Sequence, residues 1–167
     1  MGQGNAVTAA TVAGGYTRRG MRVLGLDVGD KTIGVALSDE SATLASGLPT
    51  IRRTGLKKDL HELAELARGR EVGTVVVGLP RSLDGSEGPQ ARKVRAFVEA
   101  VKGALKLPVV TWDERFTTVA AEHALIEGGV SRERRKGLVD KVAAVLILQN
   151  YLDFRKAADG EAGEPTA

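Results

Sequence analysis

The sequence is poor in the residues that mark several common kinds of site. It has no cysteine among its 167 residues, which excludes a disulfide framework and a thiolate metal centre. Aromatic residues make up only 4% of the chain, so an aromatic platform that stacks nucleobases is not expected. No apolar stretch reaches the roughly 18–20 residues that cross a bilayer, and the N-terminus lacks the continuous apolar segment of a signal peptide. We therefore expect a soluble, cytoplasmic protein with no membrane partner.

The two ends of the chain differ in composition from the segment between them. Residues 1–20 are rich in glycine, alanine and threonine without a hydrophobic period, which predicts a disordered arm. Residues 156–167 are small and polar and are predicted to form a disordered tail. Residues 21–155 are long enough for one domain with a real core. The net charge of +3 permits a nucleic-acid partner but does not require one.

The order of apolar runs predicts an α/β domain. Residues 72–79, with three consecutive valines, should form a strand buried on both faces, as in a parallel sheet. Three early strands followed by alternating helices and strands predict a mixed sheet flanked by helices, in which an antiparallel three-strand meander joins parallel strands. The other predicted elements are strands at 22–27, 32–38, 42–51 and 108–112, and helices at 56–68, 91–105, 117–127 and 136–154.

Asp27 interrupts the first of these apolar strands. Apolar residues precede and follow it, and a turn at residues 29–31 joins the strand to the next one. A carboxylate inside such a run must be paired, hydrogen-bonded or bound to a metal, because burying a bare charge costs several kcal/mol or more. Asp27 is therefore a candidate site residue.

A second pair of acids, Asp113 and Glu114, follows the apolar strand at 108–112. Ligands in open α/β sheets bind at strand ends, so either side chain could reach the space near Asp27. Adjacent residues at a strand end point in opposite directions, and the pattern leaves open which acid points inward. A polar loop with an Asp–Arg ion pair is the competing interpretation.

Asp140 lies in the last predicted helix, on the same face as Ala143, Ala144 and Ile147. That face should be buried, and its small alanines would let the helix approach the sheet and bring Asp140 towards Asp27. An acid near a helix N-terminus is also favourable by itself, by a few tenths to about 1 kcal/mol, which is a competing explanation.

The three positions together suit a divalent cation. Carboxylate oxygens are the ligands that Mg²⁺ and Mn²⁺ prefer. Two such ions, about 3.5–4 Å apart, can activate a water and stabilise the leaving oxygen of a phosphodiester.

Basic and glycine-rich segments lie near these acids. The basic loop predicted just before Asp140 would contact the phosphate backbone, although most charge runs are only solvated. The segment 78–88 joins a strand to a helix without the Gly-Lys-Ser/Thr ending of a P-loop, so Arg81 and Ser82 could contact substrate or merely form a turn. The cations of the basic loop are Arg132, Arg134, Arg135 and Lys136.

Four spaced motifs resemble the YqgF/RuvX family, whose members are described as Holliday junction resolvases and as pre-16S rRNA nucleases. The resemblance runs from about Arg22 to Phe154. It implies an RNase H-like fold, metal-dependent phosphodiester cleavage, and catalytic, metal-binding roles for Asp27, Glu114 and Asp140. Arg115, in the third motif, joins the expected nucleic-acid contacts. The motifs are residues 26–36; 77–80 with 83–86; 113–115 with 117–118; and 136–140 with 143–144.

The leading hypothesis is a nuclease that uses Mg²⁺ or Mn²⁺ on structured nucleic acid, with 5′-end processing of pre-16S rRNA as the favoured reaction. A Holliday junction resolvase or another DNA nuclease is the alternative, and a non-catalytic nucleic-acid-binding module is the alternative of another class. The Asp-x-Gly pattern at residue 27 also occurs in two-domain ATPases, but this chain offers one domain. The sequence distinguishes neither an rRNA precursor from branched or single-stranded DNA, nor a monomer from a homodimer.

Overall fold

The computed structural model describes residues 21–82, 84–114 and 132–163, with side chains described from 142 to 159 in the last segment. Within these residues the chain forms a mixed sheet and three helices. The strands are β1 (Arg22–Val28), β2 (Thr32–Ser38), β3 (Ala45–Arg52), β4 (Val72–Leu79) and β5 (Val109–Asp113). The helices are α1 (Leu56–Gly69), α2 (Pro89–Leu105) and α3 (Arg132–Gly163).

The sheet has the strand order β3-β2-β1-β4-β5. The first three strands form an antiparallel meander, and β4 and β5 extend it in parallel from β1. This arrangement confirms the predicted mixed sheet. All eight residues of β4 are buried, as expected for a central strand covered on both faces.

Each face of the sheet has its own apolar core. On one face, which we call the α1–α2 face, Leu24, Leu26 and Val28 of β1 pack with the inward sides of α1 and α2. On the other, the α3 face, Val23 and Val76 pack against α3. The alternation follows from the two-residue period of a strand, and it assigns every residue of β1 to one face or the other.

Helix α3 lies directly on the sheet where β1 has a glycine. Ala144 and Leu148 are fully buried, and a Cβ placed on Gly25 would come within 2.7 Å of Leu148 Cβ. Farther along the helix, the Gln149 side chain accepts a hydrogen bond from Ala45 N and donates one to Thr43 O. The predicted close approach through small residues is therefore confirmed.

The third strand begins later than the sequence predicted, at residue 45 instead of 42. Asp39 holds the preceding loop, because its carboxylate accepts hydrogen bonds from the backbone N–H groups of Thr43 and Leu44. Those bonds, Thr43 first, lower the pKa of Asp39. Ala42 has a left-handed φ of 55°, which a strand does not allow.

The last helix is longer at both ends than predicted. It begins at Arg132 instead of residue 136, so the basic segment described as a loop forms its first turns; arginine, glutamate and lysine are good helix formers. It continues to Gly163, and the expectation of a disordered tail from residue 156 is wrong up to that point. An Arg155–Asp159 ion pair at 3.7 Å supports the extension. The predicted arm at 1–20 and the predicted helix at 117–127 lie outside the described residues.

Among the described residues, no helix combines the length and apolar character needed to cross a membrane.

Candidate active site

Asp27 lies near the end of β1 with its side chain on the α3 face, because its neighbours Leu26 and Val28 both belong to the core of the opposite face. It is half-buried. In the antiparallel pairing with β2, Gly34 lies opposite Asp27. In the parallel pairing with β4, Leu26 lies opposite Val77, so the next position places Asp27 beside Gly78. With a glycine on each side, no neighbouring side chain crowds the carboxylate within the sheet.

Glu114 immediately follows β5, and its backbone N–H donates a hydrogen bond of 3.2 Å to Leu79 O at the end of β4. Its carboxylate lies over Gly78. A Cβ on Gly78 would collide with Glu114 Oε2 and would come within 2.5 Å of Ile147 Cδ1 of α3. The glycine thus makes the space in which the Glu114 carboxylate sits between sheet and helix.

The two carboxyl groups of Asp27 and Glu114 interact directly. Four causes together raise the pKa of Glu114 to about 8: burial first, then the charge of Asp27, a hydrogen bond to Asp27 and the charge of Asp113. No N–H group or hydroxyl of the described residues donates to the buried Oε2 of Glu114. The pair is therefore stabilised near neutral pH by a proton, and a cation could replace that proton.

The sequence left open whether Asp113 or Glu114 points inward at the end of β5, and this geometry bears on that choice. Glu114 is the acid whose side chain meets Asp27, and Asp113 raises the pKa of Glu114 through its charge. Strand β5 continues one residue farther than predicted, to Asp113. Because Asp113 is the last paired residue of β5, Glu114 is the acid that follows the strand. The sequence pattern alone did not show where the strand ends.

Asp140 lies in α3, one helical turn before the buried Ala144. The Gln149 bonds fix the later part of the helix beside the start of β3, at the end of the sheet opposite Asp27. The N-terminal part of α3 therefore runs towards the end of β1 that carries Asp27. The side chain of Asp140 lies outside the described ones. Among the described residues there is no group of three or more potential metal ligands.

Apart from Arg115, the basic residues predicted to contact nucleic acid lie in two parts of the chain, the start of α3 and the turn that contains Arg81. The backbone of the basic segment forms the start of α3, upstream of Asp140, and its side chains, like all of Arg115, lie outside the described part of the chain. Arg81 pairs with Glu87 at 3.5 Å, and Arg95 also binds Glu87, so Arg81 is held beside the helix α2. Ser82 is exposed, and its N–H donates to Ser86 O within the glycine-rich turn.

Gly78 shapes the space around Glu114, a role that the sequence did not predict. A glycine directly after three valines of a buried strand is costly for strand stability, and it marks a close approach of other atoms. That signal was present in the sequence, but its meaning required the identity of the approaching groups, Glu114 and Ile147.

Comparison with known proteins finds relatives that match most of the chain. Residues 21–154 match a family model described as "RuvX: Holliday junction resolvase". A protein of Thermoanaerobacter pseudethanolicus named "Putative pre-16S rRNA nuclease" is 55% identical over 137 residues, which cover 81% of this chain and 99% of the relative. A protein of the same name from Clostridioides difficile is 52% identical over 134 residues, which cover 80% of this chain and 95% of that relative.

A solved structure supports the fold independently. The RuvC protein of Thermus thermophilus, in complex with a Holliday junction substrate, superposes with a TM-score of 0.51 at 17% identity, covering 81% of this chain and 96% of that one. At this identity the similarity bears on the fold alone, and it confirms the predicted RNase H-like architecture. The extent of the family match and the identity to these relatives show that the chain belongs to the RuvX (YqgF) family.

Proposed function

We propose that the protein is a divalent-metal-dependent nuclease whose catalytic acids are Asp27, Glu114 and Asp140. The observation that carries the proposal is the contact between the carboxyl groups of Asp27 and Glu114, with the pKa of Glu114 raised to about 8. Two ionised carboxylates in contact repel each other, and this arrangement is unfavourable unless a proton or a metal ion lies between them. The relatives named as nucleases support the same reaction class.

The residues present fit a hard cation. The ligand atoms would be carboxylate oxygens, as Mg²⁺ and Mn²⁺ prefer, and the buried Oε2 of Glu114 accepts no hydrogen bond from the described residues. In this proposal Asp27, Glu114 and Asp140 would hold the ions. When bound, such ions supply charge neutralisation for the phosphate and lower the pKa of an attacking water.

The chain's own groups do the remaining work. At neutral pH Glu114 must lose its proton before it can act as an anionic ligand, so cation binding and proton release are coupled. The rigid β1 strand, paired on both sides, fixes Asp27 in place. The basic start of α3 would hold the phosphate backbone close to the acids, with contacts that are independent of sequence and sensitive to salt. Arg81, Ser82 and Arg115 are the further proposed contacts.

The favoured substrate is the precursor of 16S rRNA, as in the names of the relatives, and the protein would then act in the cytoplasm. The family description favours a second candidate, the Holliday junction. Junction resolution requires two symmetrically placed sites, so it would require a homodimer, whereas trimming of an rRNA end is compatible with a monomer.

The test is a panel of end-labelled substrates incubated with Mn²⁺: pre-16S rRNA, single strands, duplexes, flaps and four-way junctions. We expect Asp27→Asn to reduce cleavage by at least about 10²- to 10³-fold, the typical cost of losing one charge-stabilising group. Binding to the same substrates and the thermal unfolding transition should be nearly unchanged.

The outcome of this panel separates the alternatives. Preferred cleavage of the rRNA precursor supports the favoured substrate, and symmetric cutting of the four-way junction by a dimer supports the second. Full activity of a clean Asp27→Asn preparation would contradict the assignment of the active site.

A further inference from the structure

A cleft of about 330 Å³ opens on the α1–α2 face, at the same end of β1 as Asp27. Val28, the residue after Asp27, lies in its wall, so the cleft and the acid pair are on opposite faces of one strand end. The cleft extends between the β1–β2 turn and the first half of α2, where Phe97 and Lys93 line it. Its volume is at the lower limit of the roughly 300–1,000 Å³ of small-molecule pockets, which suits a single nucleotide and excludes a duplex.

Arg53 forms one wall of this cleft and is held unusually firmly. Its Nε donates to Asp59 Oδ2 at 3.1 Å, and its Nη1 donates to Gly29 O at 3.0 Å. The guanidinium carbon lies 5.0 Å from the centre of the Phe97 ring. Asp59 is only 1% exposed and also accepts a hydrogen bond from Thr54 N at 3.1 Å. The guanidinium plane is therefore fixed before any ligand arrives.

A fixed guanidinium plane is a surface on which an unpaired base can stack. Preorganisation matters here, because the entropy of ordering the long arginine side chain is already lost in the folded protein. Beside it, Leu56 lines the cleft and is 50% exposed, a large apolar side chain left open to solvent. Gln90, also in the lining, offers both a donor and an acceptor to the edge of a base.

The exposed charge around the mouth of the cleft favours a phosphate. Lys93 lines the cleft and is paired at 3.5 Å with Asp30, the exposed acid of the lining. Exposed cations also follow two of the lining residues in the chain, Lys31 after Asp30 and Lys57 after Leu56. The second acid in contact with the lining, Asp59, is buried against Arg53.

We propose that this cleft binds one unpaired nucleotide of the nucleic-acid substrate, with the base against Leu56 and the Arg53 plane and a phosphate near Lys93. A strand that crosses the end of β1 at the turn 29–31 would reach the cleft a short distance from the phosphate held at Asp27. The inference rests on the proposed function for the nature of the substrate. It adds that the enzyme engages a single-stranded segment next to the cleavage position.

The experiment measures binding of a fluorescein-labelled single strand, and of a blunt duplex of equal length, by anisotropy in EDTA. Leu56→Ser should weaken single-strand binding by about fivefold or more, the lower range for loss of one base contact, and should leave duplex binding unchanged. Lys93→Gln should reduce the slope of log affinity against log salt by about 0.7 for the single strand, as for one lost phosphate contact.

Each variant has a matched control at the other end of the molecule. Leu44→Ser removes a leucine that is 64% exposed, in the loop between β2 and β3. Lys102→Gln removes a lysine of the same helix as Lys93, likewise ion-paired, with Glu99 at 3.3 Å. Neither control should change single-strand binding by the amounts expected for the cleft variants.

The proposal is overturned if the cleft variants bind the single strand like their controls, or if Leu56→Ser weakens the single strand and the duplex equally. Because EDTA removes metal and cleavage, these results do not depend on the active-site assignment. Failure of the wild-type protein to bind either oligonucleotide would instead contradict the proposed function.

Discussion

Asp59 and Glu114 lie on opposite faces of the same sheet, and each has carboxyl oxygen atoms that are buried, but their surroundings are opposite. Asp59, on the α1–α2 face, is met by a guanidinium and a backbone N–H that the fold itself supplies. Glu114, on the α3 face, meets another carboxyl group, and no N–H or hydroxyl of the described residues donates to its Oε2. A buried acid with donors is part of the structure, whereas a buried acid facing an acid is prepared for a cation from outside.

Among the substitutions, the largest effect on stability should come from removing Asp59, the acid whose hydrogen-bond donors the fold supplies. Asp59→Ala leaves Arg53 without its buried partner and should lower the free energy of unfolding by about 2–4 kcal/mol, somewhat below the range for a fully buried pair because Arg53 retains 23% exposure. In contrast, Glu114→Gln should stabilise the metal-free protein at pH 8, because it removes a repelled carboxyl group. Urea unfolding in EDTA measures both changes, and a loss of similar size in both variants would abolish the distinction between the two acids.

A smaller effect should come from filling the space above Gly78. Gly78→Ala places a methyl group against Glu114 and Ile147, so it should cost about 1–3 kcal/mol and weaken Mn²⁺ binding by displacing the carboxylate. Gly103→Ala is the matched control, because a Cβ at this position in α2 meets nothing within 4 Å and should add about 0.5–1 kcal/mol. Unchanged metal affinity in Gly78→Ala would show that this glycine does not position Glu114.

The raised pKa of Glu114 should also make the stability of the metal-free protein depend on pH. The pKa of Glu114 in the folded protein is about 8, above its ordinary value of 4.5, so the folded state retains a proton that the unfolded state releases. Stability present below pH 4.5 should therefore decline as the pH rises towards and through about 8. Urea unfolding across this range should show a weaker decline in Glu114→Gln.

Glu65→Gln is the control for this titration. Glu65 is an exposed carboxylate paired with Arg68 on α1, and its removal should leave the wild-type dependence in place. If Glu114→Gln and Glu65→Gln gave the same profile as the wild type, Glu114 would not be the group that titrates.

Much of the sheet was predictable because its signals are local. The valine run of β4 and the alternation along β1 and β2 predicted buried strands. Because ligands bind at strand ends in open α/β sheets, the sequence also predicted that an acid at the end of β5 could reach Asp27. The ends of α3 were not predictable in this way. Good helix formers at residues 132–136 and 155–158 continue the helix, although a run of charges and a small, polar tail suggested irregular structure.

The cleft and the buried surroundings of Glu114 Oε2 were not predictable from the sequence, since both depend on long-range packing. Arg53, Asp59 and Phe97 are ordinary residues in their own segments, and only the fold assembles them beside the β1–β2 turn. Likewise, the choice between Asp113 and Glu114 depended on where β5 ends relative to β4. The scarcity of aromatic residues argued against an aromatic stacking platform, and the proposed cleft uses an arginine plane in its place.

The most direct test of the central claim is calorimetric titration of Mn²⁺ into the wild-type protein, Asp27→Asn and Glu114→Gln near pH 7. The wild-type protein should bind Mn²⁺ and release a proton from Glu114, so the measured heat should depend on the ionisation enthalpy of the buffer. Both variants should lose most of the affinity. Absence of binding to the wild-type protein at about millimolar Mn²⁺, or equal affinity in Asp27→Asn, would contradict the metal-dependent nuclease and favour a non-catalytic nucleic-acid-binding module.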